Sequence, residues 1–430
     1  MKLLLILLWT QCFWLIRTWR LVSGLEYRFW RQLLHGAIVS GFGFVVLVLT
    51  LTQLSGGIDF AWRYSGLAAL VGFWVTSALI ACLAIHGVLV VNWIIGLARP
   101  QFSSLVNRRG AAHPTENNVD LNRRRFVQAA TIVAGAIPLG AGGYGFAIGR
   151  HNYQVNEIDL PVDSLRPELR GLRIAQLSDV HIGSYMSAAE VQRVVAMTNE
   201  LRPDLTVVTG DFITGPNDPL EQCVAELSRL RAPLGVWGCN GNHEVYADAE
   251  WLTPELFQRY GMRLLRRENV ELAWEGQKFN LIGVDYQRSR DLDGQRLLML
   301  NGAESLTRCD MTNILLSHNP NSFPRAAELG IQLTLAGHTH GGQITVEILD
   351  HGFNPARFFT PYVAGLYRRP LGSAAYLDDK AAWSGTSSGR SAVVYVNRGL
   401  GTIVAPVRLG VPPEISLFTL CKARSSLVAT

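Results

Sequence analysis

Charge is scarce in this sequence: 17% of its 430 residues are Asp, Glu, Lys or Arg, where soluble globular chains carry about 25%. Acidic residues are scarcest at the front. Residues 1–150 hold 13 Lys and Arg against 4 Asp and Glu, leaving 26 against 30 for the remainder, or +9 against −4. The overall pI of 8.9 therefore belongs to the front, where basic residues beside apolar runs set membrane orientation. The remainder lacks the positive field that nucleic acid requires, so no nucleic-acid partner is expected. Also absent is any C-x-x-C spacing among the six cysteines (Cys12, Cys82, Cys223, Cys239, Cys309, Cys421), which excludes a zinc ribbon and a dithiol redox motif and leaves them as buried small hydrophobes. With 48% hydrophobic residues, and about 280 residues beyond the basic front to form one large core, disorder and disulfide scaffolds are excluded as well.

What is present begins with four stretches free of Asp, Glu, Lys and Arg: 3–16, 32–58, 64–98 and 126–149. A spanning helix needs about 20 mostly apolar residues, which the second and third exceed. The first is short and contains Thr10 and Gln11, and reads either as a short span flanked by Trp9, Trp14 and Trp19 or as an interfacial helix. No small-residue cleavage site follows it, which argues against a removable leader. Ahead of the fourth lies Asn122-Arg123-Arg124-Arg125-Phe126-Val127, which resembles a twin-arginine export signal, with a plain positive-inside anchor as the alternative. The expected organisation is about three spans within 1–100, a cytoplasmic basic loop at 101–125, a fourth helix or twin-arginine-like anchor at 126–149, and an α/β domain at 150–422 outside the cytoplasmic membrane. A bacterial inner-membrane location with a periplasmic domain follows, with the bilayer, and on the first reading the twin-arginine machinery, as partners.

Beyond 170, β-rich runs alternate with helical periodicity, the signal of a layered α/β architecture. Strands are predicted at 172–177, 205–209, 235–239, 279–284, 313–316, 333–336 and 393–397. Helices are predicted where Val191, Val194, Val195, Thr198 and Leu201, and then Leu220, Val224, Leu227 and Leu230, recur at helical spacing. Residues 350–390, rich in Gly, Pro and Ser, resist assignment. Within them, Phe358-Phe359-Thr360-Pro361-Tyr362 and Tyr367-Arg368-Arg369-Pro370 combine aromatics with cations, as an ordinary surface loop or as one that rests on headgroups or covers a site.

Five of the predicted strands end in polar clusters: Asp179-x-His181, Gly210-Asp211, Gly241-Asn242-His243-Glu244, Ser317-His318 and Gly337-His338-Thr339-His340. Any one of these is commonplace, since Asp caps helices and a His after a strand is usually structural. Five in order behind strands, with small residues for close backbone approach, are not explained by capping. Ligand sites in open α/β sheets lie at the carboxyl ends of strands. Imidazoles, carboxylates and an amide without thiolate suit two divalent metal ions, with Mn, Fe or Zn the best match.

These clusters resemble the signature of calcineurin-like metallophosphoesterases over roughly 172–420. The stretches Tyr395-Val396-Asn397-Arg398-Gly399-Leu400-Gly401, Pro412-Pro413-Glu414-Ile415 and Gly341-Gly342-Gln343 resemble a membrane-associated bacterial branch of that family. The resemblance implies a four-layer α/β/β/α sandwich preceded by an N-terminal helical transmembrane region. It implies one metal held by Asp179, His181, Asp211 and His340 and a second by Asp211, Asn242, His318 and His338, with Asp211 bridging. His243 would face the substrate as a catalytic acid or charge stabiliser, Glu244 would orient a ligand or His243, and a metal-activated water would serve as nucleophile. The expected function is hydrolysis of a phosphodiester, pyrophosphate or phosphomonoester in an envelope or lipid-linked substrate. Alternatives are a lipid-precursor (nucleotide-sugar-lipid) pyrophosphatase at the cytoplasmic face and a non-catalytic metal-dependent binding module.

Overall fold

The computed structural model describes residues 2–54, 65–106, 116–163, 165–288, 297–348, 351–372, 390–403 and 405–422. Residues 373–389, within the stretch that resisted assignment, lie outside them. Contacts group the chain into a helical unit, residues 1–60 and 67–146, and a second unit, residues 61–66 and 147–430.

The helical unit consists of α1 (Lys2–Ser23), α2 (Arg28–Leu54), α3 (Ser65–Val106) and α4 (Glu116–Ala147). Three segments among the described residues are long and apolar enough to cross a membrane: Arg28–Leu47, Leu70–Leu97 and Leu121–His151. The chain is thus membrane-associated. The helix α1 is not among them, as its Thr10, Gln11 and Arg17 dilute the apolar run. It nevertheless packs on α3: Trp14 sits against Ala78, Ala81 and Ile85. The Trp14 indole donates to the Ala78 carbonyl at 2.9 Å, and the Trp74 indole to Gln11 Oε1 at 2.9 Å. Helix replaces much of the polar connection expected at 101–125, because α3 continues to Val106 and α4 begins at Glu116, ahead of the arginines. Cys12 and Cys309 are exposed, against the expectation that every cysteine is buried; Cys82, Cys223 and Cys239 are buried.

The second unit is a four-layer α/β/β/α sandwich. Sheet one contains β1 (Gln154–Val162), β2 (Arg173–Leu177), β3 (Leu205–Thr209), β4 (Val236–Cys239), β5 (Arg263–Leu264) and β14 (Glu414–Lys422), in the order β1-β14-β2-β3-β4-β5. Sheet two contains β6 (Glu268–Trp274), β7 (Gln277–Gly283), β8 (Thr312–Leu316), β9 (Leu333–Ala336), β12 (Gly365–Pro370) and β13 (Ser391–Val396), in the order β12-β13-β9-β8-β7-β6. A small hairpin, β10 (Val346–Ile348) and β11 (His351–Phe353), stands apart. Strands β2 to β5 are mutually parallel, as are β7, β8, β9 and β13. Such strands, covered on both faces, read as continuous apolar runs.

Between the sheets lies an apolar core of Ile174, Leu205, Val207, Phe279, Leu281, Ile314, Leu316, Leu333, Leu335, Val393 and Phe418. The outer face of sheet one is covered by α5 (Ala188–Glu200), α6 (Leu220–Leu227) and α8 (Leu252–Arg259), which contribute Val191, Val194, Val224, Leu227 and Phe257 to a second core. Helix α5 starts at Ser187, whose hydroxyl accepts the Glu190 N–H while the Glu190 carboxylate accepts the Ser187 N–H, a reciprocal cap. On sheet two the cover is α9 (Phe323–Glu328), with Phe323 and Ala327 against Val394 and Val396.

The parallel strands place their carboxyl ends on one edge of the sandwich. Because β14 runs antiparallel to β2 and parallel to β1, β1 and β14 begin on that same edge.

Candidate metal centre

Each predicted site residue lies on this edge, in the turn after a parallel strand: Asp179 and His181 after β2, Asp211 after β3, and Asn242 and His243 in α7 (Asn242–Tyr246) after β4. From sheet two come His318 after β8, and His338 and His340 after β9. The backbone is unusual where the ligand candidates turn. Asp179 (φ 51°), His181 (φ 50°), Asp211 (φ 55°), His338 (φ 74°) and His340 (φ 51°) all occupy the left-handed region. Such conformations persist only where surrounding structure over-determines them, and they cluster at functional sites. Close approach of the turns explains two of the glycines. A Cβ on Gly241 would come within 2.1 Å of Asp211 Oδ1, and one on Gly337 within 2.3 Å of Asp179 Oδ2.

Two groups of side chains result, Asp179, His181, Asp211 and His340, and Asp211, His318 and His338, each with its potential ligand atoms within 4.8 Å of one another. Asp211 belongs to both. Its Oδ2 lies 3.5 Å from His181 Nε2 and 3.0 Å from His318 Nε2. His181 Nε2 and His340 Nε2 converge to 3.1 Å, and His340 Nε2 is 3.3 Å from Asp179 Oδ1. Asn242 joins the second group, its Oδ1 lying 2.8 Å from His338 Nδ1.

The fit to divalent cations is tested by the nitrogen lone pairs. His318 Nε2 is buried, and its approach to Asp211 lacks the direction of a hydrogen bond. Its other nitrogen faces the Thr209 carbonyl at 2.6 Å, and His181 Nδ1 likewise faces the Ile213 carbonyl at 3.0 Å and Thr214 Oγ1 at 3.1 Å. A proton held on Nδ1 by a carbonyl leaves Nε2 as a ligand, the usual outer support of a metal-binding imidazole. These residues therefore fit a divalent metal site.

Protonation agrees with this arrangement. Burial lowers His181 to about 3, and burial together with His318 lowers His338 to about 4, so both imidazoles are neutral at pH 7. Burial and the neighbouring His181 hold His340 well below the ordinary value. Burial pushes Asp179 up to about 6. For His318, burial acts downward but the Asp211 carboxylate prevails and holds it at about 10; Asp211, despite its own burial, is held well below the usual range, chiefly by His318. Cations placed between these groups would replace the His318 proton as the partner of Asp211.

Glu244 is a brace. Its buried carboxylate accepts from four backbone N–H groups, those of Asp211 (2.9 Å), Phe212 (2.8 Å), Ile213 (3.3 Å) and Gly241 (2.7 Å). It orients the turn that carries Asp211 through the main chain. His243 is half-buried; its Nδ1 faces the Thr214 carbonyl at 2.7 Å and its N–H donates to Asp211 Oδ1 at 2.9 Å.

Three further residues carry the site without having announced themselves. Arg408 is 1% exposed, and its guanidinium donates to the carbonyls of Arg398 (2.9 Å), Gly399 (3.0 Å) and Gly401 (2.6 Å). That fixes the turn after β13, which in turn donates from Gly401 N to the Asp179 carbonyl at 2.8 Å. Glu414, also buried, accepts from Tyr395 Oη and pairs with Arg398 Nε at 3.4 Å. Tyr286 stands beside the second group, its ring centroid 5.6 Å from His338 and 6.3 Å from His318. No local pattern marks these residues; the Glu414 segment alone lies within a stretch noted for its family resemblance.

Comparison with known proteins supports the same chemistry. Residues 172–342 match the calcineurin-like phosphoesterase family. The chain is 30% identical over 260 residues to an uncharacterized metallophosphoesterase of Aquifex aeolicus, covering 59% of this chain and 87% of that protein. It is 29% identical over 308 residues to the uncharacterized metallophosphoesterase YkuE of Bacillus subtilis, covering 70% and 98% of the two chains. A transmembrane protein with metallophosphoesterase domain from Danio rerio is 27% identical over 364 residues, covering 81% and 74%.

Proposed function

We propose, for a chain that belongs to the calcineurin-like metallophosphoesterases, that it is a membrane-anchored dinuclear-metal hydrolase of a phosphodiester, pyrophosphate or phosphomonoester bond in an envelope or lipid-linked substrate. The observation that carries this reading is the sharing of Asp211 between two groups of potential ligands. In it Asp179, His181, Asp211 and His340 hold one divalent ion, and Asp211, Asn242, His318 and His338 the other. When bound, such ions lower the pKa of water and offset the charge of phosphoryl oxygens. The chain's own contribution is positioning. With its Nδ1 proton directed at the Thr214 carbonyl, His243 keeps Nε2 for a proton delivered to the leaving oxygen, a role worth about 10²- to 10⁴-fold in rate.

We further propose a bacterial inner-membrane protein with its phosphoesterase domain outside the cytoplasm. The Arg123 guanidinium donates to Asn92 Oδ1 at 3.0 Å and to the Asn92 carbonyl at 2.9 Å. An arginine so engaged favours the built-in positive-inside anchor over an export signal read by separate machinery.

The experiment is metal analysis of the full chain in detergent, with hydrolysis of bis-p-nitrophenyl phosphate and p-nitrophenyl phosphate before and after chelation, beside His243→Ala. Close to two ions per chain, and turnover lost in the variant while its metals remain, is the expected result; a folded chain that binds no metal would overturn the reading. An alkaline phosphatase reporter fused after residue 150 is expected to be active, and inactivity would move the domain to the cytoplasmic face.

A further inference from the structure

From the edge on which the chain enters the second unit and the shape of one loop there, we infer that the metal-site edge docks directly on the lipid surface through the Arg357-Phe358-Phe359 tip. Deepening the proposed function, this makes the substrate a phosphoester presented in a bilayer rather than one free in solution.

Entry comes first. The apolar segment Leu121–His151 gives way to β1 at Gln154, a connection too short to reach far, since an extended residue spans about 3.3–3.6 Å. The register pairs Gln154 with Glu414, at the start of β14 and beside the site. Gly149 lies so close to the Arg408 backbone that a Cβ would meet its carbonyl oxygen at 2.1 Å. The chain thus enters the second unit on the edge that bears the ligand turns, not on the opposite edge.

The tip is on this edge too. Residues 354–364 lead into β12, whose first residue, Gly365, pairs with Val396 at the end of β13. Hydrogen bonds tie the loop to the ligand turns: Asn354 Nδ2 to the Gly341 carbonyl at 2.7 Å, and Thr360 Oγ1 to Asn321 Oδ1 at 2.8 Å. Thr339 Oγ1 donates to the Val363 carbonyl. Between these anchors the loop turns its apolar side chains outward, with Phe358 77% and Phe359 87% exposed, and Arg357 beside them is exposed as well. Consecutive exposed aromatics on a pinned loop are costly in water, and with an adjacent cation they suit the boundary between anionic headgroups and acyl chains.

The test uses the full chain reconstituted into phosphatidylglycerol vesicles. Photo-activation of Phe359→benzoylphenylalanine should yield lipid adducts, whereas Glu275→benzoylphenylalanine, in the β6–β7 turn on the opposite edge, should yield none. Equal adducts at both positions, or none at 359, would overturn the docking, as would adducts to protein alone in native membranes. A Phe358→Ser/Phe359→Ser variant should hydrolyse soluble bis-p-nitrophenyl phosphate within about twofold of the parent, but a diacylglyceryl p-nitrophenyl phosphate in the same vesicles about tenfold more slowly or worse. Equal rates on both esters would count against the inference. Absence of turnover by the parent on either ester would sink the hydrolase reading alone, because the adducts still decide the docking.

Discussion

The two sheets meet at the candidate site with unlike contributions. From sheet one come both carboxylates, Asp179 and Asp211, with Asn242, His181 and His243; sheet two supplies imidazoles only, His318, His338 and His340. The braces differ in sign as well. Behind the Asp211 turn an anion, Glu244, collects backbone N–H groups, while behind the turn after β13 a cation, Arg408, collects carbonyls. Charge on one sheet would attract cations and imidazoles from the other would complete their coordination, His318 after giving up its proton, so that two ions would fasten the edge of the sandwich. Binding and fold stability are coupled in such an arrangement.

The comparison breaks most severely at the residue both groups share. Asp211→Asn keeps the volume but removes the charge that faces His181 and His318, and turnover is expected to fall roughly 10³-fold or more, with fewer than two ions retained. His338→Gln touches one group only and should retain the other ion. Metal counts on the purified variants check both, and equal loss in the two would refute a shared carboxylate.

Next in size is the anionic brace. Glu244→Ala leaves four main-chain donors in a buried place without their acceptor, at a cost of about 1–3 kcal/mol each where water does not replace it. Metal affinity is expected to drop about 10- to 100-fold, the usual penalty for losing support behind a ligand. Calorimetric metal titration reads this directly, and an unchanged affinity would show that the Asp211 turn holds its left-handed backbone without Glu244.

Proton competition separates the two groups more finely. Below about 10, His318 carries a proton that a metal must displace. Affinity at the Asp211–His318–His338 position should therefore rise by about tenfold per pH unit through neutrality, with one proton released per ion. In the other group His181 has fallen to about 3 and Asp179 risen only to about 6, so its affinity should be flat above pH 6 and decline below. Titrations at pH 6.5, 7.5 and 8.5 in buffers of different ionisation enthalpy would resolve one pH-dependent and one pH-independent ion; two identical slopes would contradict the asymmetry.

Much of this was legible in the sequence because it rests on local pattern. The seven predicted strands are found within a residue or two of their observed limits, as continuous apolar runs, and the ligand candidates sit directly behind them. Two of the missed strands have mixed character: β1 carries Glu157, Asp159 and Pro161, and β6 alternates Glu271 with Val270 and Leu272, the chemistry of edges rather than centres, whereas β14, also missed, lies inside sheet one, its apolar residues interrupted by Ser416 and Thr419. Arg408 could not be found this way, since an isolated arginine reads as a surface residue until the carbonyls of distant turns are seen around it. The left-handed backbone at Asp179, His181, Asp211, His338 and His340 is equally invisible, because nothing in an Asp or His specifies a positive φ without the tertiary frame.

The smallest expected effect concerns the Nδ1 side of His181, the sheet-one imidazole in the first group. Two oxygens face that nitrogen, the Ile213 carbonyl at 3.0 Å and Thr214 Oγ1 at 3.1 Å, and one proton cannot serve both fully. Thr214→Val removes the hydroxyl and preserves the shape, while the carbonyl remains to hold the proton on Nδ1. Turnover and metal affinity should therefore change less than about threefold, below the 10- to 100-fold expected when the sole support of a ligand is lost. The Thr214 carbonyl that faces His243 is unaffected by the substitution, so a larger fall in kcat would assign the hydroxyl a place in orienting His181. Rescue by Thr214→Ser, with metal content unchanged across the series, would distinguish that orientation from a packing defect.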